Sequence, residues 1–128
     1  MRAALLSALL FLLPCVAQAA SPPEELVKTR TAFAAAVAAN DLKAAVELTN
    51  FPLKNTVTSA PPTISKAGFA KQFKMYGLMK DCLKSEPLES VAVGKGQKSW
   101  AINCNGNVFH FALVNGRWLH SEYENINE

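Results

Sequence analysis

Two residues near the end of the chain have the types and the spacing for proton transfer. His120 and Glu122 stand two apart in Arg117-Trp-Leu-His-Ser-Glu-Tyr-Glu, so on a regular strand both project to one side. An imidazole and a carboxylate enclosed among apolar groups take shifted pKa values and can serve as acid and base. If the neighbouring strands pair as their turns dictate, Trp100 and Phe111 lie beside His120, while Tyr76 and Phe73 approach from a helix. Trp100, Phe111, His120, Glu122, Tyr76 and Phe73 are therefore the candidate ligand pocket, with His120 and Glu122 its candidate catalytic pair. The plainer alternatives are that both side chains meet solvent where the strand leaves the core, or that His120 is a hydrogen-bonded packing residue. No His, Cys and Asp cluster has metal-ligand spacing and no Ser, His and Asp set stands out, so neither a metal nor a cofactor is expected. Gly94-Lys95-Gly96 lacks a third glycine and precedes a strand, which argues against a phosphate loop.

Those side chains need a sheet to hold them. Asn105-Gly106 and Asn115-Gly116 each stand between alternating apolar residues, the pattern of a two-residue hairpin whose central residues both take positive φ. Two such turns make a three-stranded meander from Lys98 to Glu124. The turns fix cross-strand partners: Trp100 with Phe111, Ile102 with Phe109, Cys104 with Asn107, Leu113 with Trp118, Phe111 with His120 and Phe109 with Glu122. One face then carries the aromatic residues, Cys104, His120 and Glu122. The other carries Ser99, Ala101, Val108, His110, Ala112, Leu119 and Tyr123.

The elements before the meander supply the cover. Ser21-Pro22-Pro23-Glu24 reads as a capping box opening a helix from about Pro22 to Ala39. Its alanines suggest close packing against another element. Asn40-Asp41 breaks it, and Leu42 to Thr49 forms a short second helix. Phe51-Pro52-Leu53 is extended and, because of Pro52, is expected at a sheet edge. Residues 54–63 read as a polar loop. Thr63 or Ser65 caps a third helix, on which Phe69, Phe73 and Tyr76 form a core-facing stripe. That helix is expected to fray between Leu78 and Lys84, before a strand from Glu89 to Val93.

Processing and compartment follow from the first twenty residues. Arg2, an apolar run from Ala3 to Leu13 and the small residues Ala17 to Ala20 have the layout of a secretory signal peptide. Residues 1–20 are read as that peptide and 21–128 as one domain, periplasmic or secreted, with no stable membrane insertion after cleavage. Of the three cysteines, Cys82 and Cys104 then remain, and two cysteines in an exported domain usually pair. A disulfide there would be worth about 3 kcal/mol and would pin the third helix to the sheet. Without Arg2, twelve basic residues stand against ten acidic ones, too even a balance for a nucleic-acid partner. The lysines from Lys66 to Lys84 read as a solvated face.

The whole domain resembles the nuclear transport factor 2-like superfamily, which includes the SnoaL-like cyclases and the ketosteroid isomerases. The resemblance rests on Phe33-Ala-Ala-Ala-Val-Ala-Ala-Asn-Asp-Leu-Lys-Ala-Ala-Val-Glu-Leu, a long helix turning at Asn-Asp into a short one, on the Phe51-Pro52-Leu53 step, and on the closing strands with Gly116-Arg117-Trp118. It implies an α+β fold, with the helices on one face of a curved, cone-like antiparallel sheet and a pocket between the layers. Catalytic members of that superfamily place carboxylates in the strand after the short helix and in the inner sheet; at the first of those places this chain has Phe51-Pro52-Leu53-Lys54 and no acid. The preferred expectation is an exported, non-enzymatic binding domain that holds an apolar small molecule in the cone, or an exported protein partner as an inhibitor or immunity factor would. The alternative is a cofactor-free lyase or isomerase using His120 and Glu122. A homodimer through the open sheet face is a further expectation.

Overall fold

The computed structural model describes residues 21–57, 60–93 and 97–127. The signal-peptide reading of residues 1–20 and the Gly94-Lys95-Gly96 turn lie outside the described residues. The elements run α1 (Glu24–Ala38), α2 (Leu42–Glu47), β1 (Thr49–Asn55), β2 (Thr63–Ile64), α3 (Lys66–Gly77), α4 (Lys80–Ser85), β3 (Glu89–Val93), β4 (Gln97–Cys104), β5 (Asn107–Val114) and β6 (Arg117–Asn125). The strands form one sheet in the order β2-β1-β6-β5-β4-β3, with the β1–β6 pair parallel and the other four pairs antiparallel. The fold is the α+β arrangement expected, with helices on one face of the sheet.

The Asn-Gly turns form as read, with positive φ at Asn105, Gly106, Asn115 and Gly116. Helix boundaries follow local chemistry. α1 starts at Glu24 with Pro23 at the N-cap position and no side-chain cap, so the Ser21 capping box does not form. Pro23 pushes the residue before it out of the helical region, which delays the first turn. Glu24 and Glu25 then stand in that turn, where a carboxylate is favoured by the helix dipole. Asn40, at φ 53°, closes α1, and the Asp41 carboxylate accepts from the Ala44 amide at 3.1 Å to open α2. Ser65 rather than Thr63 caps α3, accepting from the Gly68 amide at 3.2 Å. Thr63 instead pairs with Lys54 in β2.

Two expectations are corrected here. Pro52 does not make its strand an edge, because β1 lies between β2 and β6. The β1–β6 register jumps between Thr49 and Lys54, and β2 pairs begin only at Leu53, so Pro52 falls where neither neighbour needs its missing N–H. The segment after Gly77 does not fray. It reforms as α4, which Arg30 of α1 holds by donating through Nε to the Leu83 carbonyl at 2.5 Å and through its other guanidinium nitrogen to the Glu86 carbonyl. Burial lowers the pKa of Arg30, with partial compensation from the charge of Glu86.

A single core fills the space between the layers. Leu26, Phe33 and Val37 of α1, Phe69, Phe73 and Tyr76 of α3, and Leu83 of α4 pack on Trp100, Ile102, Phe109, Phe111 and Tyr123. The Cys82–Cys104 disulfide is present, with a Cα–Cα distance of 5.9 Å. It ties α4, rather than α3, to the end of β4.

Candidate functional site

β5 and β6 pair as the turn predicts from Val114–Arg117 to Phe111–His120, and then the register shifts. His110 pairs with Glu122 and Phe109 with Tyr123, so Ser121 is an extra residue in β6, a β-bulge. The expected pairing of Phe109 with Glu122 is thereby corrected, and so are the faces of Glu122 and Tyr123. Tyr123 turns into the core at 4% exposure. Glu122 turns to the other side, where Thr56 Oγ1 donates to its carboxylate at 2.8 Å and Lys54 Nζ lies 3.9 Å away. His120 and Glu122 therefore do not share a face.

His120 is fully buried, and its hydrogen bonds define its state. Nδ1 lies 3.1 Å from the His110 carbonyl, which can only accept, so Nδ1 carries the proton. Nε2 lies 3.0 Å from the Tyr76 hydroxyl and, in the neutral ring, accepts from it. The backbone N–H of His120 donates to the Leu48 carbonyl at 2.8 Å. Around the ring stand Phe33, Phe109 and Phe111, with centroids 5.0, 5.8 and 5.7 Å away. This enclosure penalises the charged form and lowers the His120 pKa to about 4, against a smaller raising effect of the His110 carbonyl. The same desolvation pushes the Tyr76 phenol well above its ordinary value.

The structure thus brings Trp100, Phe111, Tyr76 and Phe73 into one core, with His120 against Tyr76 and Phe111, and leaves Glu122 out of it. The rings meet edge to face, with Tyr76 and Phe109 centroids 4.9 Å apart and Phe69 and Tyr76 5.4 Å apart. Both ring nitrogens of His120 are engaged. Where the candidate catalytic pair was read, the arrangement is a closed hydrogen-bonded chain in an aromatic core.

Space for a ligand lies elsewhere, and the sequence reading missed it. A cavity of about 740 Å³ beside the disulfide is lined by polar groups that include Asp81, Glu86, Glu89, Asn103 and Asn107. A second, of about 520 Å³, runs between α1 and α4 over Thr31, Ala34, Ala35 and Ala38, with Lys80, Asp81 and Lys84 on its other wall. The signal for the second was the spacing of its alanines, which put a smooth stripe on α1, followed by two lysines four apart. On the outer sheet face, His110 Nε2 donates to Glu124 at 3.0 Å, while His110 Nδ1 and the Ser99 hydroxyl are buried without a partner among the described residues. Among the described residues no group of three or more His, Cys, Asp or Glu side chains is placed to hold a metal ion.

No protein-family model matches the chain, and no curated protein matches it. Among solved structures it is similar in fold to nuclear transport factor 2-like proteins. One is an NTF-2 like protein of unknown function from Shewanella oneidensis MR-1, 12% identical, with 77% of this chain and 93% of that chain covered and a TM-score of 0.43. Another is a variant of a chain named Rd1NTF2, 14% identical, with 78% and 92% covered and a TM-score of 0.42.

Proposed function

We propose that this chain is an exported, non-enzymatic binding domain whose ligand, an apolar small molecule, lies on the helical surface rather than inside the cone. The observation that carries this reading is the state of His120. A general base needs a free lone pair within reach of a substrate proton. Here one ring nitrogen is a donor to a backbone carbonyl and the other is occupied by Tyr76, in a fully buried ring. The carboxylate that would complete a lyase or isomerase pair stands on the opposite face. A cavity of about 520 Å³ with alanines along one wall is within the size range of small-molecule sites.

The test is extraction of the folded protein, isolated from its native source, into organic solvent, followed by mass spectrometry. A stoichiometric apolar molecule is the expected result. A stoichiometric protein partner in place of a small molecule would overturn the small-molecule reading. Turnover of a carbonyl substrate that is lost in His120→Gln would overturn the non-enzymatic reading.

A further inference from the structure

We infer that the groove between α1 and α4 takes a single straight-chain carboxylic acid, a free fatty acid. This inference rests on the binding reading above and names its ligand class. Three features of the groove converge. Thr31, Ala34, Ala35 and Ala38 recur at helical spacing and leave α1 with no side chain longer than a methyl or hydroxyl along that wall. From Thr31 to Ala38 the stripe covers about 10 Å of helix. An apolar wall of that length can lie alongside an extended alkyl chain.

Charge supplies the second argument. Lys80 and Lys84 are one turn apart on α4 and line the facing wall. Among the described residues Asp81 is the only acidic one lining the groove, so two ammonium groups stand against one carboxylate. No ion pair of Lys80 or Lys84 is formed among the described residues. Long lysine stems can lie along an apolar wall and keep their charged ends at its rim, where they would meet an anionic headgroup.

The third argument is rigidity. Arg30 clamps the far end of α4 onto α1 through two backbone carbonyls, and the disulfide ties α4 to β4. Both walls are therefore fixed before a ligand arrives, which lowers the cost of binding.

The experiment is calorimetric titration of the delipidated protein with hexanoate, octanoate, decanoate and dodecanoate, each below its micellar concentration, and with dodecanol. Affinity is expected to rise about fourfold for each added methylene, the effect of burying one such group. The rise should stop once the chain outruns the groove. The Lys80→Glu/Lys84→Glu double variant should lose at least tenfold for dodecanoate and little for dodecanol. Ala35→Trp, on an exposed position, should abolish binding of both with the circular dichroism spectrum unchanged. Equal affinity for dodecanol and dodecanoate, unchanged in the lysine variant but lost in Ala35→Trp, would overturn the anionic assignment and keep the binding reading. Binding only to anionic phospholipid vesicles would overturn the free-acid assignment. No saturable binding of any of these probes would overturn the fatty-acid inference. In that case a co-extracted molecule lost in Ala35→Trp would keep the binding reading, and the absence of one would overturn both.

Discussion

Acidification should destabilise this fold through one residue, His120, and the size of the effect follows from its surroundings. In the unfolded chain the imidazole titrates near the ordinary value of about 6.5. In the folded chain desolvation holds it at about 4. Between those values the unfolded state binds a proton that the folded state does not, so stability falls as pH falls through that window. Above about pH 6.5 both states are neutral and the contribution is complete. Below about pH 4 both are charged and the loss levels off. The difference of about 2.5 units corresponds to about 3 kcal/mol at about 1.4 kcal/mol per unit. Against a total of about 5–15 kcal/mol for an ordinary domain, that is a large share. The assay is urea denaturation at half-unit steps from pH 7.5 to 3.5, on wild type and on His120→Gln. Subtracting the variant's curve removes the titration of every other group. The difference should slope by about 1 kcal/mol per pH unit between pH 6 and pH 4.5 and flatten towards pH 7.5. Parallel curves would refute the reasoning, as would an NMR titration placing the His120 midpoint between pH 6 and 7.

Three further expectations concern single contacts. Tyr76→Phe leaves His120 Nε2 buried without a donor and should cost about 1–3 kcal/mol by chemical denaturation, with the packing of the ring retained. Replacing Cys82 and Cys104 together by Ala frees a loop with a sequence separation of 22 and should cost about 3 kcal/mol by the chain-entropy account, measured under non-reducing conditions. Ser99→Ala removes a buried hydroxyl that has no partner among the described residues and should be neutral or stabilising by up to about 1 kcal/mol, so a loss above about 1 kcal/mol would point to a partner at that hydroxyl.

The meander was legible because its turns are chemically overdetermined: Asn-Gly accepts positive φ at both positions, and two such turns fix a register. The aromatic stripe of α3 was legible for the same kind of reason, since Phe69, Phe73 and Tyr76 admit one periodicity and all three are buried. What failed depended on partners distant in sequence. Nothing near Leu78 announces that Arg30, 53 residues before the Leu83 carbonyl it bonds, will hold α4 together. Nothing around Pro52 says that β6 will pair beside it with a gap at the proline. The groove was missed because the alanines and lysines that line it were read separately, as packing and as solvation, and only the α1–α4 pairing puts them on facing walls.

The bulge at Ser121 is the most instructive miss, because energetics available in the sequence argue for it. A regular β6 would bury Trp118, His120 and Glu122 on one face and expose Tyr123. A strand with one extra residue after His120 buries Tyr123 in place of Glu122. Enclosing an ionised carboxylate among phenylalanines costs several kcal/mol unless a buried cation pairs with it, and the register places no Lys or Arg next to Glu122 on that face. Enclosing Tyr123 adds apolar area and ring contacts, among them Phe109 at 5.6 Å and Tyr76 at 5.9 Å. On the other side Glu122 gains Thr56 and Lys54. The bulge itself is compensated, since the His110 carbonyl accepts from both His120 Nδ1 and Ser121 Oγ, at 3.1 and 3.3 Å. The carboxylate that made the strand look catalytic was thus the residue least able to stay in the core, and a one-residue slip in β6 removes it.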